Sequence, residues 1–182
     1  MLARYGMVHG RFQPFHNGHL EYALRAFSRS EHLIIGITNA DPTQGRPEAT
    51  DTNRHLPGSN PFTFFERQRM IRQTLVDHGI CPDRLSMVPF PIHEPERWSH
   101  YCPVGTHHFV RVFSDWGREK VERLRKAAYE ITILDEGTRK KYSGEDVRAR
   151  IKEGQSLTKF LPSAVVNILR EISARERLLC LD

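Results

Sequence analysis

Near its start the chain passes from a short apolar run (5–8) through Gly10-Arg11-Phe12-Gln13-Pro14-Phe15-His16-Asn17-Gly18-His19 into a helix-compatible run (20–27). No other stretch constrains the fold as tightly. An apolar run, a tight turn bearing Gly and Pro, and a helix start with two histidines three residues apart predict a strand–turn–helix unit. A helix N-terminus has N–H groups without intrahelical partners and the positive end of the macrodipole, so it attracts anions. Residues at i and i+3 share a helix face, so His16 and His19 can address one anion. Arg11 adds a planar donor fork suited to phosphate. The stretch holds no Ser or Cys beside a base. It reads as an arrangement that holds and neutralises phosphates, with Phe12 and Phe15 as packing residues and Pro14 stiffening the turn.

Beyond it, strands and helices are predicted to alternate. Residues 32–38 contain Leu33-Ile34-Ile35-Gly36-Ile37, a continuous apolar run typical of a strand covered on both faces. Residues 62–78 read as a helix, with a capping-box pattern at Thr63 and Glu66 and Gly79 after its end. Strands follow over 85–90, 109–113 and 129–134, a short helix over 95–101, and helices over 118–127, 143–152 and 162–174. This alternation predicts one α/β domain: a parallel sheet with helices on both faces, its ligands outside the carboxyl ends of the strands at a topological switch point. A chain of 182 residues can bury a substantial single core.

Composition narrows the partners. There is no apolar run of transmembrane length and no signal-peptide pattern, so no membrane partner is expected. Cys81, Cys102 and Cys180 are odd in number and widely spaced, which points to free thiols, a reducing cytoplasmic compartment and no zinc site. A net charge of +5 and a pI near 9.3 favour anionic partners. The arginines are scattered and not interleaved with aromatics as a single-strand platform requires, so nucleotide phosphates explain the excess better than nucleic acid. A homo-oligomer is expected.

His16-Asn17-Gly18-His19 matches the H-x-G-H signature of the nucleotidylyltransferase superfamily, and the longer run from Gly10 to His19 resembles the archaeal-type nicotinamide mononucleotide (NMN) adenylyltransferases. Asn60-Pro61-Phe62-Thr63 with Glu66-Arg67 is similar to a second block of that branch, and Tyr142-Ser143-Gly144-x-x-Val147-Arg148 to its C-terminal triphosphate motif. The tail from Arg148 to Leu179 also resembles the branch. The resemblance implies a Rossmann-like five-stranded parallel sheet of order 3-2-1-4-5. It also implies catalysis by His16, His19 and Arg11, and triphosphate binding by Gly10, Phe12, Gly18, Ser143, Gly144 and Arg148. Mg²⁺ is expected as cofactor. Ser143 and Asp146 stand in a capping arrangement, so the helix at 143 is expected to turn its N–H groups toward phosphates.

The acceptor-side candidates are Asn39, Trp98, Arg46 and Arg54. Trp98 lies where the branch places an aromatic against the nicotinamide ring; it either stacks on a pyridinium or covers the sheet. Residues 41–59 form a long stretch rich in Pro, Gly, Thr, Asn and Asp, either a disordered insertion or a lid. Glu145 stands where the branch commonly has Thr, so it either faces solvent or binds through the metal ion. The run 114–120 lacks the Asn-Pro of the branch's base-contacting loop. The expected reaction is attack of a phosphate-type acceptor on the α-phosphorus of a nucleoside triphosphate, with release of pyrophosphate. ATP and NMN lead as the substrate pair. The alternatives are a CTP-dependent cytidylyltransferase for a small phosphonate or phosphate acid and, from another class, a non-catalytic nucleotide-binding regulator.

Overall fold

A computed structural model describes residues 1–41, 56–138 and 141–181. By its internal contacts the chain divides into two compact units. The first comprises Met1–Gly10, Tyr22–Ala40 and Cys81–Lys140, the second Arg11–Glu21, Asp41–Ile80 and Lys141–Asp182.

The first unit carries the sheet. Its strands are β1 (Ala3–Gly10), β2 (Ser30–Ile37), β3 (Leu85–Pro89), β4 (His107–Val112) and β5 (Glu130–Glu136), all parallel, in the order 3-2-1-4-5. This is the α/β Rossmann-like architecture that the alternation and the family resemblance imply. In β2, Leu33, Ile34, Ile35 and Ile37 are all buried, as a strand covered on both faces requires. The register Ala3↔Ser30 to Gly10↔Ile37 brings β1 and β2 to a common carboxyl end. Strand order reverses direction between β1 and β4, so the loops leaving these two strands flank the switch point. One core cluster gathers Met7, Ile34, Val110 and Val112 from the strands with Phe90, Trp98 and Trp116. Val121 and Leu124 of α3 (Asp115–Lys126) complete that cluster. The short helix expected at 95–101 is a 3₁₀ helix, Pro95–His100.

The second unit is helical. In α2 (Phe64–Asp77) the Thr63 hydroxyl accepts from the Glu66 N–H at 3.2 Å while the Glu66 carboxylate accepts from the Thr63 N–H at 2.9 Å, so the capping box is formed. Ser143 caps α4 (Gly144–Lys152). The closing helix expected over 162–174 is α5 (Ser163–Glu171), and a further helix not expected from the sequence, α6 (Ala174–Leu179), follows it. Ser173 between them has φ +49°, a left-handed backbone that cannot continue an α-helix. Helix α1 (Asn17–Phe27) begins in the second unit and ends in the first. Among the described residues no helix is long and apolar enough to cross a membrane.

Candidate active site

The two histidines build their own helix start. His16 is the residue before α1, and its carbonyl accepts from the N–H groups of His19 (2.8 Å) and Leu20 (3.0 Å). The His19 N–H also donates to His16 Nδ1 at 3.3 Å, and the His16 N–H donates to His19 Nδ1 at 3.4 Å. This reciprocal pattern is a capping box in which imidazoles replace the usual hydroxyl and carboxylate. The rings lie stacked, centroids 3.6 Å apart and 14° from parallel. A neutral imidazole that accepts at Nδ1 carries its proton at Nε2. With Nδ1 accepting, the proton of each neutral ring lies at Nε2.

The surrounding residues hold that pair in place. Phe12 and Phe15 are buried packing residues: Phe12 meets His19 edge-on at 4.9 Å, and Phe15 stacks on it at 5.8 Å. Phe12 has φ +53°, which sharpens the turn. A Cβ on Gly18 would come within 3.1 Å of the Tyr142 ring and 3.3 Å of the His16 ring, so this position keeps Tyr142 close to the pair. A Cβ on Gly144 would lie 2.9 Å from the Gln13 carbonyl oxygen. That oxygen accepts from Arg148 Nη1 at 2.8 Å. Arg148 is largely buried, and burial lowers its pKa, partly offset by Glu145. The Ser143 hydroxyl accepts from the Asp146 N–H at 3.0 Å, and Glu145 is exposed to solvent.

The structure thus brings His16, His19, Gly18, Phe12, Ser143, Gly144 and Arg148 together in the second unit, with Arg11 half-buried beside them. Gly10 and Asn39 belong to the first unit, at the ends of β1 and β2; Asn39 has φ +50°. Arg46 and Arg54, like most of the stretch 41–59, lie outside the described residues. Trp98 is 0% exposed, its Nε1–H donates to the Pro91 carbonyl at 2.8 Å, and its ring stacks on Phe90 with centroids 5.5 Å apart, so its polar edge and one face are taken within the core.

Two residues that the motifs contain, Gln13 and Arg67, were given no role by the sequence reading. Gln13, nearly fully buried, exchanges two hydrogen bonds with the Phe62 main chain: its Nε2 donates to Phe62 O at 2.9 Å, and Phe62 N–H donates to its Oε1 at 3.0 Å. Arg67 donates from Nη1 to Arg11 O at 2.8 Å. The available signal was a glutamine between Phe12 and Pro14, a polar residue in an otherwise apolar turn, and an arginine four residues after the Thr63 cap.

The cytidylyltransferase-like family matches residues 7–150. The phosphonoformate cytidylyltransferase of Streptomyces viridochromogenes is 42% identical over 177 residues, covering 97% of this chain and 96% of that protein. The nicotinamide-nucleotide adenylyltransferase of Saccharolobus solfataricus is 32% identical, covering 95% and 94%. Among solved structures, a bifunctional NMN adenylyltransferase/ADP ribose pyrophosphatase from Francisella tularensis superposes with TM-score 0.72 at 20% identity. That match covers 99% of this chain and 52% of the other. The chain belongs to the cytidylyltransferase-like family and is a nucleotidylyltransferase.

Proposed function

We propose that this enzyme transfers a cytidylyl group from CTP to a small phosphonate or phosphate acid, releasing pyrophosphate. The observation that carries this reading is the buried Trp98, whose polar edge and one face are taken within the core, which speaks against a nicotinamide stacked at that position. The 42% identity to a phosphonoformate cytidylyltransferase over nearly the whole of both chains supports it. A second reading, adenylyl transfer from ATP to NMN, is favoured by the 32% identity to the Saccharolobus protein.

In either reading an ionised acceptor oxygen attacks the α-phosphorus in line. The new O–P bond forms as the bond to the β-phosphate oxygen breaks, and pyrophosphate leaves with that electron pair. No general base is needed, so catalysis is positioning and electrostatic stabilisation. His16 and His19 donate from Nε2 to the phosphate oxygens on which charge develops. Arg11 and Arg148 clamp the polyphosphate from either side of the turn. Gly18 and Gly144 admit the close approach of the Tyr142 ring and the Gln13 carbonyl, and Ser143 and the main chain at Phe12 complete the cradle. Mg²⁺ is proposed to arrive with the triphosphate. Among the described residues no group of three or more His, Cys, Asp or Glu stands where it could hold a metal ion.

The test is a matrix of nucleoside triphosphates against small phosphonates, NMN and nicotinate mononucleotide, read by pyrophosphate release. Turnover of CTP with a phosphonate such as phosphonoformate is expected. Turnover confined to ATP with NMN would replace this reading with the second.

A further inference from the structure

The block Asn60-Pro61-Phe62-Thr63 supplies no side chain to the proposed phosphate cradle, yet its main chain is bonded to the turn that leads to His16. Gln13, 3% exposed, meets Phe62 with its whole side-chain amide. Its Nε2 donates to Phe62 O at 2.9 Å, and its Oε1 accepts from Phe62 N–H at 3.0 Å. Two opposed bonds to one residue fix an amide in place and in rotation, as a single bond cannot. Phe62 is buried as well, so losing either bond would leave a main-chain polar group unpaired away from water.

The main chain of the same glutamine makes the second half of a joint. Its carbonyl accepts from Arg148 Nη1 at 2.8 Å. Gly144, the first residue of α4, permits this approach: a Cβ there would lie 2.9 Å from the Gln13 oxygen and 3.2 Å from Arg148 Nη1. A carbonyl holds a guanidinium in place without neutralising it, whereas a carboxylate would cancel the charge that a phosphate needs. Gln13 thus ties together three segments of the second unit: the turn before His16, the entry to α2 and the start of α4.

We propose that Gln13 is a positioning residue for polyphosphate binding: its side chain, anchored on Phe62, sets the carbonyl that places the Arg148 guanidinium. The block at 60–63 acts on the site through the Phe62 main chain. The proposal rests on the reading of Arg148 as a phosphate clamp.

A double-mutant cycle on Gln13 and Arg148 tests it. The probe is inorganic pyrophosphate, so that neither base nor acceptor enters, and binding is read by titration calorimetry at about pH 8, where an ordinary histidine is neutral. Gln13→Asn is one methylene short of Phe62 and is expected to weaken binding about tenfold, the scale of one hydrogen bond to a charged group. In the Arg148→Met background the same change is expected to cost less than about threefold, because a residue that acts through another loses its effect when that other is gone. Should Gln13→Asn fail to fold, Gln13→Met, which fills a similar volume without either bond, is carried through the same cycle with the same expectation. Equal losses in both backgrounds would mean that Gln13 supports the fold at large, and would overturn the proposal. Wild-type binding by the Gln13 variants, with Arg148→Met impaired, would overturn it and leave the clamp standing. Wild-type binding by Arg148→Met, or no pyrophosphate binding by the wild type, would overturn both.

Discussion

His16 and His19 combine a structural task with a proposed catalytic one. Through Nδ1 each caps the start of α1, and in the proposed reaction each donates through Nε2 to a phosphate oxygen. The three-residue spacing of the H-x-G-H signature is thus the spacing of a capping box. A substitution can divide the two tasks. Serine is a strong N-cap but has no donor at the imidazole's reach, so His16→Ser should keep stability within about 0.5 kcal/mol while lowering kcat by about 10²–10³. His16→Ala should add a stability loss of about 1 kcal/mol to the same kinetic loss. Denaturant unfolding and steady-state pyrophosphate release on both variants check this. Near-normal turnover in His16→Ser would remove the imidazole from catalysis.

The 3₁₀ helix Pro95–His100 brings Trp98 into the core against Phe90, at the edge of the cluster built on β1, β2 and β4. A ring so placed acts through packing. Trp98→Ala should cost about 3–5 kcal/mol of unfolding free energy, the range for deleting a buried aromatic side chain. The measurement is urea unfolding. A loss under about 1 kcal/mol, with a selective rise in acceptor KM, would return Trp98 to the acceptor site. Helix α6 shows the complementary case. It is short and follows a left-handed residue, yet its Arg177 grips Glu66 of α2 with both Nη atoms. Burial alone would raise the Glu66 pKa, but the bonds from Arg177 and Thr63 outweigh it and hold the carboxyl below its ordinary value.

Across the whole molecule, stability toward acid should be shaped by His108. It is fully buried in β4 beside Phe90 and Tyr129, and neither ring nitrogen has a hydrogen-bond partner. Burial, with the positive charges of Lys120 and His107, pulls its pKa down to about 3 from 6.5. The sign follows: below 6.5 the unfolded chain binds a proton that the folded one does not, so stability falls as pH drops from 6.5 toward 3. The slope this group adds is at most about 1.4 kcal/mol per pH unit. Glu66 acts lower, its contribution lost only as pH falls below the ordinary carboxyl range. Unfolding free energies from pH 7 to 5 should therefore decline less steeply in His108→Phe than in the wild type. Parallel curves would exclude His108 as the source.

What the sequence by itself determined is local. The caps at Thr63 and Ser143 and the histidine pair at 16 and 19 involve residues within one helical turn, and the buried run of β2 is continuous along the chain. Such patterns depend on spacing, which a sequence displays. Only the tertiary structure decided the rest. Gln13 meets Phe62 across 49 residues and Arg148 across 135, and neither pairing leaves a periodic trace. Helix α6 runs beyond the helix expected over 162–174 and is separated from α5 by the left-handed Ser173. Trp98 is the sharpest case. Composition identifies a large aromatic ring, but whether its face meets a ligand or Phe90 depends on what the fold brings against it, and burial is a property of neighbours that no stretch of sequence carries.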